Sequence, residues 1–282
     1  MEVKLAETAG FCMGVDMALK RLDKLVAEAA GRPLFILGPI IHNPQVLESY
    51  AAKGVTTVER PDEVPDGACV VIRAHGIPRQ VEEDLVSRNV IVKDATCPRV
   101  KKAQLLIARH TADRSVLLLY GEADHPEVKG LVSYAGDGHF VFDSPEELAA
   151  YGFEPGKSYV LAAQTTQDRA VFEKLAERFE NDDTLDVTIL RTICDATRLR
   201  QKEASELAAE VDSMVVVGGY NSGNTRRLVQ VVAERGTPCV HVETASELDT
   251  AQFSGCRRVG VTAGASTPHH LIHEVIELLA GL

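Results

Sequence analysis

Short apolar runs, bounded by Gly, Pro or polar residues, alternate with helix-period segments along the whole chain and constrain the fold more than any other feature. Such runs are typical of strands buried on both faces of a parallel sheet. The segments at 81–87 and 171–179 have helical periodicity. Strand–helix alternation of this kind predicts βαβ units, and hence an α/β fold with mostly parallel sheets. The predicted strands lie near residues 3–5, 34–37, 55–58, 69–72, 90–92, 116–120, 139–142, 159–163, 187–190, 214–217, 239–242 and 259–262.

Three cysteines, Cys12, Cys97 and Cys194, each stand just before a helix-like run and divide the chain into similar stretches. After each cysteine, one strand-like run leads to a polar loop and a later one leads to a second polar loop. The first loops carry His42, then His125 with Glu127, then Ser222 with Asn224; the second loops carry His75, Thr165 and Ser266. This repetition predicts three similar α/β units at residues 13–96, 97–193 and 194–282, joined by an N-terminal strand at 1–12.

All six polar loops follow strand-like runs, and so they are predicted to lie at the carboxyl ends of parallel strands. Ligands of open parallel sheets bind at those ends. If the three units are arranged pseudo-threefold about a common axis, the six loops converge on one central pocket and each unit supplies one cysteine to it.

The cysteines fall into two classes. Cys69 and Cys239 lie inside apolar runs and Cys256 follows a turn-like Ser-Gly, so these three are assigned to structure. Cys12, Cys97 and Cys194 precede helices, and three thiolates could hold zinc or an iron–sulfur cluster. Structural zinc sites favour closely spaced ligand pairs, whereas these cysteines are separated by about 85 and 97 residues. A [4Fe–4S] cluster with three protein ligands would leave one iron open to substrate.

The polar loops indicate a site for a small anion. Gly-rich turns at 218–224 and 262–268 lie between a strand and a helix, where free N–H groups and the helix dipole favour phosphate. The alternative is an ordinary turn with capping Ser and Thr side chains. His42, His75 and His125 could donate to phosphate oxygens. Glu127 is either an acid/base residue or a Glu that only favours the helix dipole.

The overall charge and the first residues limit the partners. A formal net charge of −11 argues against a broad nucleic-acid surface. There is no run of about 18 apolar residues that would predict a membrane span. The N-terminal segment has no basic region followed by an apolar one, so a cytoplasmic protein is expected.

Eight motifs in register resemble the 4-hydroxy-3-methylbut-2-enyl diphosphate reductase family, which acts last in the methylerythritol phosphate route to isoprenoids. They extend from residue 9 to residue 266. The motifs are AGFCMGV around Cys12, GPIIHNP around His42, RAHG at His75, DATCP at Cys97, HPEVKG at His125 and Glu127, QTT at Thr165, GYNSGNTRRL at Ser222 and Asn224, and VTAGAS at Ser266.

The resemblance implies three α/β units around a central [4Fe–4S] cluster, one per chain, held by Cys12, Cys97 and Cys194. Loss of the open iron would leave a [3Fe–4S] form. It also implies that the substrate hydroxyl approaches the open iron and that Glu127 relays protons, with Thr165 orienting the hydroxyl and His125 beside them. The residues implied to bind the diphosphate are His42, His75, His125, Thr165, Ser222, Gly223, Asn224 and Ser266.

The implied reaction is a two-electron reductive dehydroxylation of the allylic diphosphate, with a ferredoxin- or flavodoxin-like donor, that gives isopentenyl and dimethylallyl diphosphate. The family often has a second Ser where this chain has Gly223, so one hydroxyl contact to phosphate would be replaced by backbone N–H. Two other functions remain open from the residues alone. An open iron also suits a hydro-lyase, and a cluster or zinc site could serve a sensor of a phosphorylated ligand.

Overall fold

The structure is a computed structural model that describes residues 1–29, 31–136 and 138–282. Within these residues, twelve strands alternate with helices, and every predicted strand is confirmed to within two residues. The strands are β1 Glu2–Leu5, β2 Leu34–Leu37, β3 Val55–Val58, β4 Cys69–Ile72, β5 Ile91–Asp94, β6 Val116–Tyr120, β7 His139–Phe142, β8 Ser158–Ala163, β9 Asp186–Ile189, β10 Ser213–Val217, β11 Cys239–Val242 and β12 Arg258–Ala263.

The α-helices connect successive strands on the sheet faces. Among the described residues, none of them combines the length and the apolarity needed to cross a membrane. They are α1 Met13–Glu28, α2 Pro44–Ala52, α3 Arg79–Ser87, α4 Pro98–His110, α5 Pro126–Val132, α6 Pro145–Ala149, α7 Arg169–Glu180, α8 Asp195–Ala208, α9 Gly223–Glu234 and α10 His269–Ala280.

The strands form three four-stranded parallel sheets of one topology, which confirms the predicted α/β class. Their orders are β3-β2-β4-β5, β7-β6-β8-β9 and β1-β12-β10-β11. In the third sheet, β1 takes the edge position that β5 and β9 take in the others. The pairing is parallel throughout because helical crossovers return the chain to the same end of the sheet.

The chain divides into two compact units. The first consists of residues 1–16, 41–49 and 195–282 and contains the sheet β1-β12-β10-β11. The second consists of residues 17–40 and 50–194 and contains the other two sheets. The three-unit boundaries at residues 13, 97 and 194 stay a prediction, as does the pseudo-threefold arrangement.

The central strands are apolar along their whole length because both faces are covered. Along β10, Met214 and Val216 pack in one core cluster while Val215 and Val217 pack in another. Along β6, Leu117 and Leu119 face one cluster and Leu118 faces the other. Burial on both sides explains why these strands read as continuous runs rather than as alternating patterns.

One interior strand of each sheet (β2, β6 and β10) is followed directly by a glycine, and the three glycines make equivalent bonds. Each backbone N–H donates to the last carbonyl of the neighbouring edge strand. Gly38 bonds Val58 at 2.7 Å, Gly121 bonds Phe142 at 2.8 Å and Gly218 bonds Val242 at 2.8 Å. Gly218 has φ +145°, a backbone conformation that side chains rarely adopt. These bonds fix the start of each polar loop at the carboxyl end of its sheet.

Gly264 provides a test of close packing at this edge. A Cβ on Gly264 would overlap Thr225 Oγ1, while Gly152 has open space around it, and both have ordinary φ values. We expect Gly264→Ala to lower the free energy of unfolding by about 1–3 kcal/mol, as overpacking does. Gly152→Ala is the control and should leave it nearly unchanged. Urea unfolding of both variants measures the difference, and equal stabilities would contradict the described packing.

Candidate active site

Cys12, Cys97 and Cys194 occupy equivalent corners of the three sheets. Each follows an edge strand (β1, β5 or β9), and each backbone N–H donates to the loop after the adjacent strand. The acceptors are the carbonyls of Ala265 at 3.1 Å, Ala74 at 2.9 Å and Thr165 at 3.0 Å, respectively. All three thiols are partly exposed. The repetition inferred from the sequence thus has a direct counterpart in the backbone hydrogen bonds.

The other three cysteines are in structural positions, as assigned from the sequence. Cys69 lies in β4 and is buried. Burial raises the pKa of the Cys239 thiol to about 11, which keeps it a protonated, unreactive group. Cys256 packs against the core of the first unit. All six cysteines are free thiols.

Helix α8 holds the segment before Cys12 through two charged side chains that sequence reasoning missed. Arg200 is 3% exposed and donates to the carbonyl oxygens of Thr8, from Nε at 3.0 Å, and of Gly10, at 2.7 Å. Glu203 accepts the backbone N–H groups of Glu7 at 2.6 Å and Thr8 at 2.9 Å. In the sequence, the start of the helix after Cys194 is recognisably charged. That charge does not indicate that the helix binds the segment before Cys12.

In the second unit, Glu127 and Thr165 form a buried pair. Glu127 lies in the first turn of α5 and is 1% exposed, and Thr165 follows β8. The Thr165 N–H donates to Glu127 Oε1 at 2.7 Å and its hydroxyl donates to Oε2 at 3.0 Å. Burial raises the pKa of Glu127 to about 7, although both bonds from Thr165 favour the ionised form. The carboxyl is therefore fixed in position and ready to bind or release a proton near neutral pH.

His125 and His75 lie beside one another in the same unit. Their rings are 5.5 Å apart between centroids and nearly perpendicular. His125 precedes α5, and its Nδ1 accepts the Glu127 N–H at 3.1 Å. A neutral His125 therefore carries its proton on Nε2, which makes that nitrogen a donor. The loops after β4 and β6 thus bring two imidazole rings together, and His125 is held by the backbone N–H of Glu127.

In the first unit, the Ser222–Asn224 segment begins helix α9. Ser222 Oγ accepts the Thr225 N–H at 3.3 Å and so caps the helix. Gly223 is the first helical residue and is buried, as are Asn224 and Thr225 after it. Asn224 is 6% exposed, and within the described residues its Nδ2 is buried without a hydrogen-bond acceptor. A buried donor without an acceptor suits an anionic ligand.

His42 and Ser266 meet in that same unit. The Ser266 hydroxyl donates to the His42 carbonyl at 3.2 Å. A Cβ on Gly219 would come 2.7 Å from the same carbonyl, so only glycine allows this approach of the two loops. The loops after β2, β10 and β12 are therefore packed together, while the Ser266 hydroxyl is engaged by protein.

A second set of residues missed by sequence reasoning supports the loop before α9. The Tyr220 hydroxyl donates to Glu247 at 2.6 Å and the Tyr220 N–H donates to Glu243 at 2.8 Å. His241 Nε2–H donates to the Gly218 carbonyl at 2.8 Å. These partners come from β11 and the segment after it. The sequence gives no sign of these contacts, because each of them joins residues from separate segments of the chain.

The predicted site residues form two groups, one in each compact unit. The first unit brings together the segments of Cys12, His42, Ser222, Gly223, Asn224 and Ser266. The second brings together those of Cys97, Cys194, His75, His125, Glu127 and Thr165. Convergence of all of them on one pocket stays a prediction.

Comparisons with known proteins point to one family. The family profile described as LYTB, LytB protein, matches residues 3–280. The 4-hydroxy-3-methylbut-2-enyl diphosphate reductase of Nitratidesulfovibrio vulgaris (strain DP4) is 53% identical over 294 residues, with 100% of both chains covered. The protein of the same name from Geobacter sulfurreducens is 45% identical, with 98% of this chain and 96% of that protein covered.

Two solved structures are similar to the chain. The E-1-hydroxy-2-methyl-but-2-enyl-4-diphosphate reductase from Plasmodium falciparum matches with a TM-score of 0.93 at 26% identity, over 99% of this chain and 88% of that one. A structure of (E)-4-hydroxy-3-methyl-but-2-enyl diphosphate reductase, described as the terminal enzyme of the non-mevalonate pathway, matches with a TM-score of 0.70 at 38% identity, over 100% of both.

The raised pKa of Glu127 predicts a specific dependence of stability on pH. Between the ordinary value of 4.5 and about 7, the folded protein holds this proton more tightly than the unfolded chain does. The free energy of unfolding should therefore fall as pH rises through that window, by about 3 kcal/mol at most. Glu127→Gln cannot titrate and should lack this part of the dependence. Urea unfolding of both proteins at about pH 5 and pH 8 tests it, and parallel pH profiles would contradict it.

Proposed function

Because the chain belongs to the LytB family of 4-hydroxy-3-methylbut-2-enyl diphosphate reductases, we propose that it reduces this allylic diphosphate. In the proposed reaction, the C–O bond to the hydroxyl breaks, two electrons and two protons are taken up, and oxygen leaves as water. Protonation of carbon at either end of the allylic system gives isopentenyl or dimethylallyl diphosphate. The observation that carries the proposal is the buried Glu127–Thr165 pair.

That pair supports proton transfer rather than binding alone. A carboxyl with a pKa near 7 is present in both forms at neutral pH, which suits a group that gives up a proton and regains it. Thr165 engages both carboxyl oxygens and fixes their direction. In the proposed mechanism Glu127 delivers the proton that makes the substrate hydroxyl a viable leaving group. The Thr165 hydroxyl helps to orient that substrate hydroxyl. A binding module has no need of this arrangement.

We propose that Cys12, Cys97 and Cys194 hold a [4Fe–4S] cluster. The donor set fits: three free, partly exposed thiols occupy equivalent corners, and thiolate sulfur is the ligand that iron–sulfur clusters prefer. Cys97 also lies at the N-cap of α4, where the helix dipole favours an anionic sulfur. When bound, the cluster would supply the electrons, one at a time, and an open iron to polarise the C–O bond.

The diphosphate is assigned to the polar loops. The proposed binding residues are His42, His75, His125, Thr165, Ser222, Gly223, Asn224 and Ser266. Asn224 gives the strongest support because its buried Nδ2 has no acceptor among the described residues. His125 offers an Nε2–H donor, since its Nδ1 is occupied by the Glu127 N–H. At Gly223, the backbone N–H at the start of α9 replaces a hydroxyl donor.

The role of Glu127 predicts a separation of binding from turnover. Glu127→Gln should leave substrate binding within about threefold and lower turnover by about 10²–10⁴-fold, the range of a positioned general acid. Reductant-driven conversion and calorimetric binding of the substrate would measure the two effects. Glu146 is a matched control: it also follows a proline at a helix start, but it is exposed. If Glu127→Gln turns over as fast as Glu146→Gln, Glu127 only serves its helix.

The cysteine assignment predicts the metal content. Protein purified without oxygen should be brown and contain about four irons per chain. Cys97→Ser should lose most of that iron, whereas Cys256→Ser, also partly exposed, should retain it. A colourless, zinc-containing and fully active preparation would contradict the cluster. Substrate consumption without any need for reductant would instead indicate a hydro-lyase.

A further inference from the structure

Helix α4, which begins directly after Cys97, is strongly basic. It carries Arg99, Lys101, Lys102 and Arg109 and no acidic residue. The chain as a whole has a formal net charge of −11. Four basic residues and no acidic one on a single helix are therefore unexpected from the acidic composition of the chain.

The position of these charges works against the stability of the helix. Arg99, Lys101 and Lys102 lie within the first five residues of α4, at the positive end of its dipole. A cation there is unfavourable by roughly 0.3–1 kcal/mol, and helices usually place Asp or Glu in the first turn. Pro98 at the first helical position favours the same start without any charge.

The basic side chains line a groove on the surface of the second compact unit. Arg21 of α1 lines it together with Lys101, Lys102 and Arg109, and Leu105 and Leu106 contribute apolar surface. Leu105 is 59% exposed, which is unusual for a leucine on a helix packed against a sheet. The groove thus combines exposed apolar surface with positive charge, as protein-binding surfaces do.

The acidic groups at the groove neutralise only part of this charge. Lys101 Nζ lies 3.5 Å from Asp94 and 3.3 Å from Glu82. Arg21 donates to the backbone carbonyl of Asp94, which carries no formal charge. Lys102 and Arg109 are exposed to solvent. The groove therefore keeps a positive balance.

The groove is also adjacent in the chain to Cys97, one of the proposed cluster ligands. Thr96 and Pro98, the residues on either side of Cys97, both contribute to its lining. A molecule seated in the groove would be one residue along the chain from a proposed cluster ligand. None of the other described helices combines several basic residues, no acidic residue and a start at one of these cysteines.

We propose that the groove formed by Arg21, Lys101, Lys102, Leu105 and Arg109 is the docking surface for a small acidic electron-transfer protein, of the ferredoxin or flavodoxin class. This rests on the proposed function, which needs a one-electron donor. Opposite charge speeds encounter and orients the partner, and exposed Leu105 supplies apolar contact. Docking moves one electron at a time from the reduced donor to the enzyme and transfers no atom. The donor is oxidised and the cluster is reduced.

Charge reversal of the exposed groove residues tests the proposal in the anaerobically purified enzyme. For Lys102→Glu with Arg109→Glu, we expect the KM for a reduced acidic ferredoxin to rise about tenfold or more and its salt dependence to flatten. Turnover driven by reduced methyl viologen, a small cation, should stay unchanged. Lys174→Glu, an exposed lysine on α7, is the matched control and should change neither. The same assays with flavodoxin identify which class of donor the surface serves.

Three further readouts separate docking from other roles. Lys102 should be joined to ferredoxin carboxylates by a carbodiimide cross-linker in the wild-type enzyme, and high salt should suppress the product. The midpoint potential of the cluster should not change in the double variant. A shift in this potential that accounts for the lost activity would mean that the charges act on the potential, and it would overturn docking. Equal binding of a single-stranded oligonucleotide would also overturn it, in favour of a general polyanion site.

The kinetic outcomes also distinguish this proposal from the function on which it rests. An unchanged ferredoxin KM in the double variant, with full viologen activity, rejects the docking surface and leaves the reductase intact. Absence of turnover with viologen in the wild-type enzyme, with its iron content confirmed, rejects the reductase function itself.

Discussion

Thr165 connects the two kinds of chemistry in the second compact unit. Its carbonyl accepts the Cys194 N–H, while its own N–H and hydroxyl donate to the two oxygens of Glu127. One residue at the end of β8 therefore sets the position of a proposed cluster ligand and of a proposed proton donor. A shift of the backbone here would move both groups together. The geometry of the site depends on the ladder that fixes the end of β8 between β6 and β9.

The sequence predicted the strands well because the central strands are buried on both faces, which leaves a continuous apolar signal in the local sequence. The cysteine spacing predicted the repetition because each cysteine occupies the same corner of the same topology. No local pattern in the sequence indicated the division into two compact units. Nor did any indicate the contacts of Arg200 or Tyr220, whose partners are distant in sequence. Glu127 was found as a candidate from its position two residues after His125 in a polar loop, but its burial and its hydrogen bonds from Thr165 depend on packing that no local pattern contains.

Several features at the carboxyl ends of the sheets reduce stability. The Glu127 carboxyl accepts its two hydrogen bonds from the uncharged Thr165, and burial disfavours its charge. The first turn of α4 gathers cations at the positive end of a helix. Asn224 buries a donor that has no protein acceptor among the described residues. The apolar strands on both sides of each sheet supply the cohesion that tolerates these groups, which is the usual relation between a rigid scaffold and a functional edge.

The placement of β1 has a consequence for the order of assembly. This strand precedes the other eleven in the sequence, yet it pairs with β12, and the Cys12 N–H donates to the carbonyl of Ala265. During synthesis the corner around Cys12 must wait until β12 has emerged, whereas Cys97 and Cys194 belong to sheets whose strands are consecutive in sequence. Contacts of such high sequence separation form late in folding. A cofactor that needs all three cysteines could enter only after β12 has paired with β1, so its insertion would report that the three sheets are complete.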